Sequence, residues 1–326
     1  MVIFLQEKKW LIRQKSISDF KYGKYPASRA VEELLRNGII ILDKPQGPTS
    51  HQVDAWVKRI LGVPKCSHGG TLDPRVSGVL VIALDNATKL MPILLSSKKE
   101  YVALVYLHAD VPEAKIRKAC AEFIGKIKQL PPKKSAVARR VREREIYSLE
   151  ILEISGRNIL MRVGCEAGTY IRRLADDIGK NLGCGGHLQE LRRTRSGIFS
   201  EEKIITLQKL MDAFAEWKEN GNENLLKEII LPLEVVADNM RAVVVKDSAV
   251  DAICNGAPLG CGGIVLAQKN ISAEDWTAIL TLKGEMVAFG RAKMSAEEMI
   301  KKKAGLAVKT DKVLMSKGTY PSAWKK

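Results

Sequence analysis

The stretch Gly69-Gly70-Thr71-Leu72-Asp73-Pro74-Arg75-Val76-Ser77-Gly78-Val79-Leu80 sets a single carboxylate in a loop flanked by glycines, immediately ahead of an apolar run over 79–84. Glycine lets another backbone approach closely. A short apolar run bounded by such a loop reads as a strand buried on both faces. Asp73 precedes a proline, which on spacing alone is the signature of a turn residue; the other reading is a carboxylate presented for chemistry at the mouth of the strand. Working outward, 38–42 is a second buried strand ending at the loop Asp43-Lys44-Pro45-Gln46-Gly47-Pro48. Thr49 or Ser50 can then cap a helix with Val53, Val57 and Ile60 or Leu61 on one face.

Downstream, 101–107 reads as a strand and 113–124 as a helix with Ile116, Cys120 and Ile124 turned inward. Two strands follow, 146–154 and 159–163, joined by a turn at 155–158. Gly168-Thr169-Tyr170-Ile171-Arg172-Arg173-Leu174 opens a further helix, with Ile171, Leu174, Ala175 and Ile178 on its apolar face. Tyr170 and Arg172 fall in its first turn, where the helix end favours anions. Arg172 can therefore pair with Asp73, bind a phosphate, or simply pair with Asp176 four residues on. Asp176 and Asp177 could be read as the second carboxylate of a glycosidase-like pair, but Arg172 and Arg173 offer them partners at helical spacing. Helices are expected within 207–217 and 225–229, and beyond Pro232 the pattern changes to short strands and glycine turns, at 242–245, 262–266, 278–282 and 286–291. These spacings predict an α+β chain of two domains. Residues 1–35 form an extension, 36–233 a mixed-sheet domain, and 234–326 a small β domain with a basic tail.

The 326 residues carry 53 Lys plus Arg against 37 Asp plus Glu, a formal charge of +16. Such a surplus calls for an anionic partner, and nucleic acid is the usual one. The rival, a membrane, is disfavoured because no apolar run approaches the ~20 residues that a bilayer span needs. The N-terminal apolar stretch also breaks at Gln6 and Glu7, short of a signal peptide. The positive charge gathers in four runs: the first thirty residues; Lys133, Lys134, Arg139, Arg140, Arg142 and Arg144; Arg192, Arg193 and Arg195; and the C-terminal lysines. One run is ordinarily a solvated face; four suggest a track for a phosphate backbone, with steep salt dependence. The six cysteines form no C-x-x-C pair and read as reduced thiols of a cytoplasmic protein. Cys184 and His187 lie three apart without a second pair, so no metal is expected.

The motif at 69–80 resembles the catalytic loop of the TruB and dyskerin family of RNA pseudouridine synthases. The resemblance extends to Leu42-Asp43-Lys44-Pro45-Gln46-Gly47, Lys99-Glu100-Tyr101, Gly168-Thr169-Tyr170-Ile171-Arg172 and Leu191-Arg192-Arg193-Thr194-Arg195-Ser196-Gly197. It thus spans roughly 38–200. Asn255-Gly256-Ala257-Pro258-Leu259, with Gly284-Glu285 and Gly290-Arg291-Ala292, resembles a PUA domain, a small RNA-binding β-barrel. The resemblance implies that Asp73 is the essential aspartate, Tyr101 the tyrosine that stacks on the target base, Tyr170 its neighbour beside the aspartate, and Arg172 the arginine paired with it. It further implies substrate contacts from Lys44, His68, Thr71, Leu191 and Arg193. His68 would help displace the target base and Leu191 would wall the pocket, while Lys44 and Pro45 have a second reading, as residues that shape their loop.

Pseudouridine formation breaks the N1–C1′ bond, turns the uracil and rejoins it through C5, so no cofactor is expected. One ionised carboxylate, an arginine beside it and stacking aromatics suffice. The chain is similar to the archaeal branch of the family, and it lacks the insertions by which standalone enzymes grip tRNA. This implies a guided enzyme of the H/ACA particle, acting on rRNA, with tRNA as a further target. Its expected partners are the guide RNA, the target RNA and the small protein subunits of that particle. Arg139, Arg140, Gly256, Ala257 and Pro258 would then hold the guide, and residues 1–35 would pack on the PUA domain.

Overall fold

The structure is a computed structural model that describes residues 9–131 and 140–322. A ten-stranded mixed sheet forms its larger part. In spatial order the main path runs Leu231–Pro232, Gly38–Lys44, Ser77–Leu84, Gly186–Ser196, Lys99–Leu107, Asn158–Cys165, Arg142–Ser155 and Gly125–Gln129. Short strands Cys66–His68 and Phe199–Ser200 pair onto it from the sides. The two apolar runs are neighbours, antiparallel from Ile39↔Ala83 to Lys44↔Gly78. Their side chains alternate between two cores, which is why they read as unbroken hydrophobic strings. Ile40, Leu42, Leu80 and Ile82 enter one core with Val53, Val57, Leu174 and Ile178 from the helices Ser50–Leu61 and Ile171–Asn181. Ile39, Ile41, Val79 and Val81 enter the other, together with Val244, Leu280 and Phe289 of the second sheet. The two domains therefore share one apolar core.

That second sheet has seven strands in the order Trp10–Ile12, Ile264–Gln268, Arg241–Val245, Trp276–Leu280, Met286–Ala292, Leu306–Val313 and Leu259–Gly260. Its first strand comes from the N-terminal segment, pairing antiparallel with Ile264–Gln268. Arg13 donates to the carbonyls of Met299 and Ile300 at 2.8 and 2.7 Å, and the buried Arg29–Glu234 pair closes at 2.7 Å. Glu234 also accepts from the Met286 amide at 3.0 Å, so one carboxylate joins the extension, the interdomain segment and the second sheet.

Three elements differ from the sequence reading. The helix expected over 113–124 ends at Ala121, leaving Ile116 and Cys120 buried but Ile124 about half exposed, and the chain turns into the edge strand Gly125–Gln129. The basic segment around Arg193 is the interior strand Gly186–Ser196 rather than a surface track. The helix Val31–Asn37 falls across the boundary between the extension and the first domain.

Candidate active site

The loop carrying Asp73 is anchored along nearly its whole length. Strand Cys66–His68 pairs back on Ser77–Leu84, and the Gly69 amide donates to the Val81 carbonyl at 2.8 Å. The Ser50 hydroxyl, in the first turn of its helix, accepts from the Leu72 amide and donates to the Leu72 carbonyl, both at 2.9 Å. Gly47 donates to the Pro74 carbonyl at 2.8 Å. Lys44 is fully buried, and its ammonium donates to the carbonyls of Pro45 and Val76 at 2.8 and 2.9 Å and more weakly to Pro74 at 3.4 Å. Burial lowers its pKa, while Asp73 partly offsets that effect. Lys44 thus shapes the loop from beneath.

Asp73 and Arg172 form an ion pair across the cleft, each side chain a little over half exposed. Arg172 can reach because Tyr170 caps the helix Ile171–Asn181 and directs its first turn at the loop. The nearly buried Gln129 holds Tyr170 by its backbone, accepting from the Tyr170 amide at 3.0 Å and donating to its carbonyl at 3.2 Å. Asp176 and Asp177 turn instead to Arg173, at 3.9 and 3.2 Å. Tyr101 is 9% exposed, on strand Lys99–Leu107 opposite Arg193. Burial raises its phenol above the ordinary range, so it is a neutral ring at physiological pH.

Arg193 is 1% exposed, and it donates to the carbonyls of Val79 at 2.7 Å and Gly70 at 2.9 Å. It braces the loop, with its guanidinium engaged by backbone carbonyls. Arg192 pairs with Asp43 and Glu201, leaving Arg195 as the exposed arginine of that run. Leu191 is half-buried on the same strand, opposite Ala103. Lys99 was given no role in the sequence reading. Its ammonium is buried on the carbonyls of Leu94 and Ser97 at 3.0 and 2.9 Å, and burial, helped by Arg193, lowers its pKa to about 7.

His68 lies behind the loop, with Nδ1 2.6 Å from Asp54 and Nε2 3.0 Å from the Thr71 hydroxyl. The His51 ring stands edge-on to it at 5.0 Å. Ligand-type atoms of His51, Asp54 and His68 lie within 4.8 Å of one another. The 2.6 Å contact is nevertheless that of an imidazole–carboxylate hydrogen bond, shorter than the roughly 3.3 Å separating two ligands of a tetrahedral ion with bonds near 2.0 Å. The sequence reading did not anticipate this trio. Farther off, Gly256 follows the helix Asp247–Cys254 in an exposed turn with a φ of +90°, Ala257 is half-buried and accepts from Thr310 at 3.0 Å, and Pro258 is exposed. Arg140 is exposed, whereas Arg139 lies outside the described residues.

Four family models match the chain. The TruB family pseudouridylate synthase N-terminal domain matches 58–171, the tRNA pseudouridylate synthase B C-terminal domain 172–237, the PUA domain 241–314 and the DKCLD domain 3–54. Proteins named probable tRNA pseudouridine synthase B are 51% identical in Methanosarcina barkeri, over 94% of this chain and 90% of theirs, and 50% in Archaeoglobus fulgidus, over 96% and 97%. Among solved structures, a Cbf5-Nop10-Gar1 complex matches with a TM-score of 0.93 at 49% identity, covering 97% of both chains. An H/ACA RNP bound to a substrate RNA containing 2′-deoxyuridine matches at 0.92 and 47%, covering 98% of both. With a loop that presents one carboxylate to one arginine, and relatives similar along nearly its whole length, the chain belongs to the TruB family of pseudouridine synthases, isomerases that act on RNA, and carries a PUA domain.

Proposed function

We propose that the chain is the catalytic subunit of an H/ACA-type particle, isomerising uridines of rRNA chosen by a guide RNA, with Asp73 as the reacting carboxylate. The observation that carries this reading is the Asp73–Arg172 pair, on a loop whose carbonyls are held by Lys44 and Arg193 and whose carboxylate is felt by the buried Tyr101. In the reaction the N1–C1′ bond breaks, the uracil turns, C5 bonds to C1′, and the C5 hydrogen leaves as a proton while N1 gains one. Asp73 either attacks C1′, adds to C6, or takes a C2′ proton on a glycal route. Arg172 pairs with the carboxylate and aims it. The half-open site becomes dry only when RNA covers it, and the Tyr101 ring offsets part of the few kcal/mol spent in unstacking the base.

Similarity over nearly the full chain to proteins solved with Nop10 and Gar1, and with substrate RNA, supports the guided reading. Those small subunits, guide RNA and target RNA are the partners it implies. The exposed turn Gly256–Ala257–Pro258 offers a docking place for the guide's end, and Arg140 a contact nearer the cleft. Among the described residues no helix is long and apolar enough to cross a membrane. All six cysteines are free, which supports a cytoplasmic setting. The names of the archaeal relatives favour a second reading, direct action on tRNA.

Assembling the protein with its small subunits and a target, with and without guide RNA, and counting pseudouridine distinguishes the two. Product on the paired target only when guide is present is the expected result; full turnover of tRNA or target without guide would overturn it.

A further inference from the structure

Asp54 lies outside every motif used above, yet its carboxylate is almost covered, with Oδ2 on His68 Nδ1 at 2.6 Å and Oδ1 buried with no partner. It sits on the helix Ser50–Leu61, whose first residue also grips Leu72. A carboxylate on one imidazole nitrogen fixes which nitrogen carries the proton. With Nδ1–H donating to Asp54, the neutral ring has a lone pair at Nε2, 3.0 Å from the Thr71 hydroxyl, and accepts from it. The Thr71 proton is thereby committed inward, and the oxygen's free lone pairs face the cleft, where Thr71 is exposed two residues ahead of Asp73.

We infer that Asp54, through His68, is a positioning residue that sets the hydrogen-bond polarity of Thr71, making its Oγ1 an acceptor for an N–H or 2′-OH of the incoming RNA. The flanking residues leave Thr71 little freedom to drift. Gly70 is held by Arg193 and Leu72 by Ser50, so what the relay controls is the direction of one proton rather than the course of the loop. Reversal of the ring tautomer would turn Thr71 from acceptor to donor toward the cleft without moving the backbone. The inference rests on the isomerase reading of the site but not on the use of a guide.

Two measurements on the full chain test it. With four histidines in the sequence, long-range proton–nitrogen spectra of histidine-labelled protein, assigned with His68→Gln, read the ring at about pH 8, above the ordinary imidazole range. Wild type is expected to carry its proton on Nδ1. In Asp54→Leu, which removes the acceptor, the proton should move to Nε2. Asp54→Asn, which keeps an oxygen there, should hold the Nδ1 proton and most of the activity. In single-turnover pseudouridine formation at saturating RNA, Asp54→Leu and Thr71→Val should each lose about tenfold in rate, while RNA affinity, set mainly by contacts elsewhere, changes far less. Because they act through one hydrogen bond, the double variant should lose no more than either alone. An Nε2–H ring in wild type, additive losses, or an Asp54→Leu variant with wild-type rate would overturn the proposal. So would a fall in RNA affinity in step with the rate. The ring is read without RNA, so a failure of guide dependence leaves that result standing, and an inactive wild type would count against the function reading instead.

Discussion

At the scale of single residues, the site separates into groups that face the cleft and groups that hold them. Asp73, Thr71 and Arg172 face outward, whereas Lys44, Lys99 and Arg193 are cations buried on backbone carbonyls. The outward set was legible because its motifs are local and their chemistry follows from residue type. Loop shaping was one of the readings of Lys44, but the burial of Lys99 and Arg193 was not legible, because a lysine or arginine in a basic sequence reads as surface until the fold shows which carbonyls converge on it. Lys99 has a measurable consequence. Its folded pKa of about 7 lies below the ordinary lysine value, so between about pH 7 and 10 the unfolded chain binds the extra proton and this group makes stability rise with pH. Urea midpoints at pH 7 and pH 9 should therefore differ more in wild type than in Lys99→Met; an equal rise in both would contradict the assignment.

At the scale of elements, the strands 38–42 and 79–84 were readable because burial on both faces leaves an unbroken apolar string. Strand Gly186–Ser196 escaped notice for the opposite reason. Its arginines answer to Asp43 and the carbonyls of Gly70 and Val79, partners far away in sequence, and to Glu201 nine residues on, so no alternation is visible along it. Its parallel pairing to Ser77 and Gly78 is what places the Asp73 loop against the sheet. Gly78 has a φ of +102°, and a Cβ there would come 2.3 Å from the Arg193 carbonyl. Gly78→Ala is accordingly expected to lower stability by more than about 2 kcal/mol, through strain and a backbone clash. Thermal unfolding checks this, and an unchanged midpoint would mean that the strand pair is not so close.

At the scale of the whole molecule, the charge of +16 pointed to an anionic partner, but not all of that charge is available to one. Arg192 and Arg193 are engaged inside the protein, whereas Lys301, Lys302, Lys303 and Lys309 remain exposed at the PUA end. The sharing of one core by both domains could not be read from periodicity, which reports a buried face but not what covers it. Arg29 and Glu234 hold that junction, with Glu234 only 2% exposed. Arg29→Met should leave Glu234 buried and unpaired, costing about 3–5 kcal/mol. Denaturant unfolding should show an earlier transition, and a loss below about 1 kcal/mol would place the pair among ordinary surface contacts.

All three scales converge on one carboxylate. The most direct measurement is pseudouridine formation by Asp73→Asn in the assembled particle, at RNA concentrations that saturate wild type. The account predicts wild-type RNA affinity with no detectable product. Product formed at a rate near that of wild type would remove Asp73 from the chemistry and contradict it.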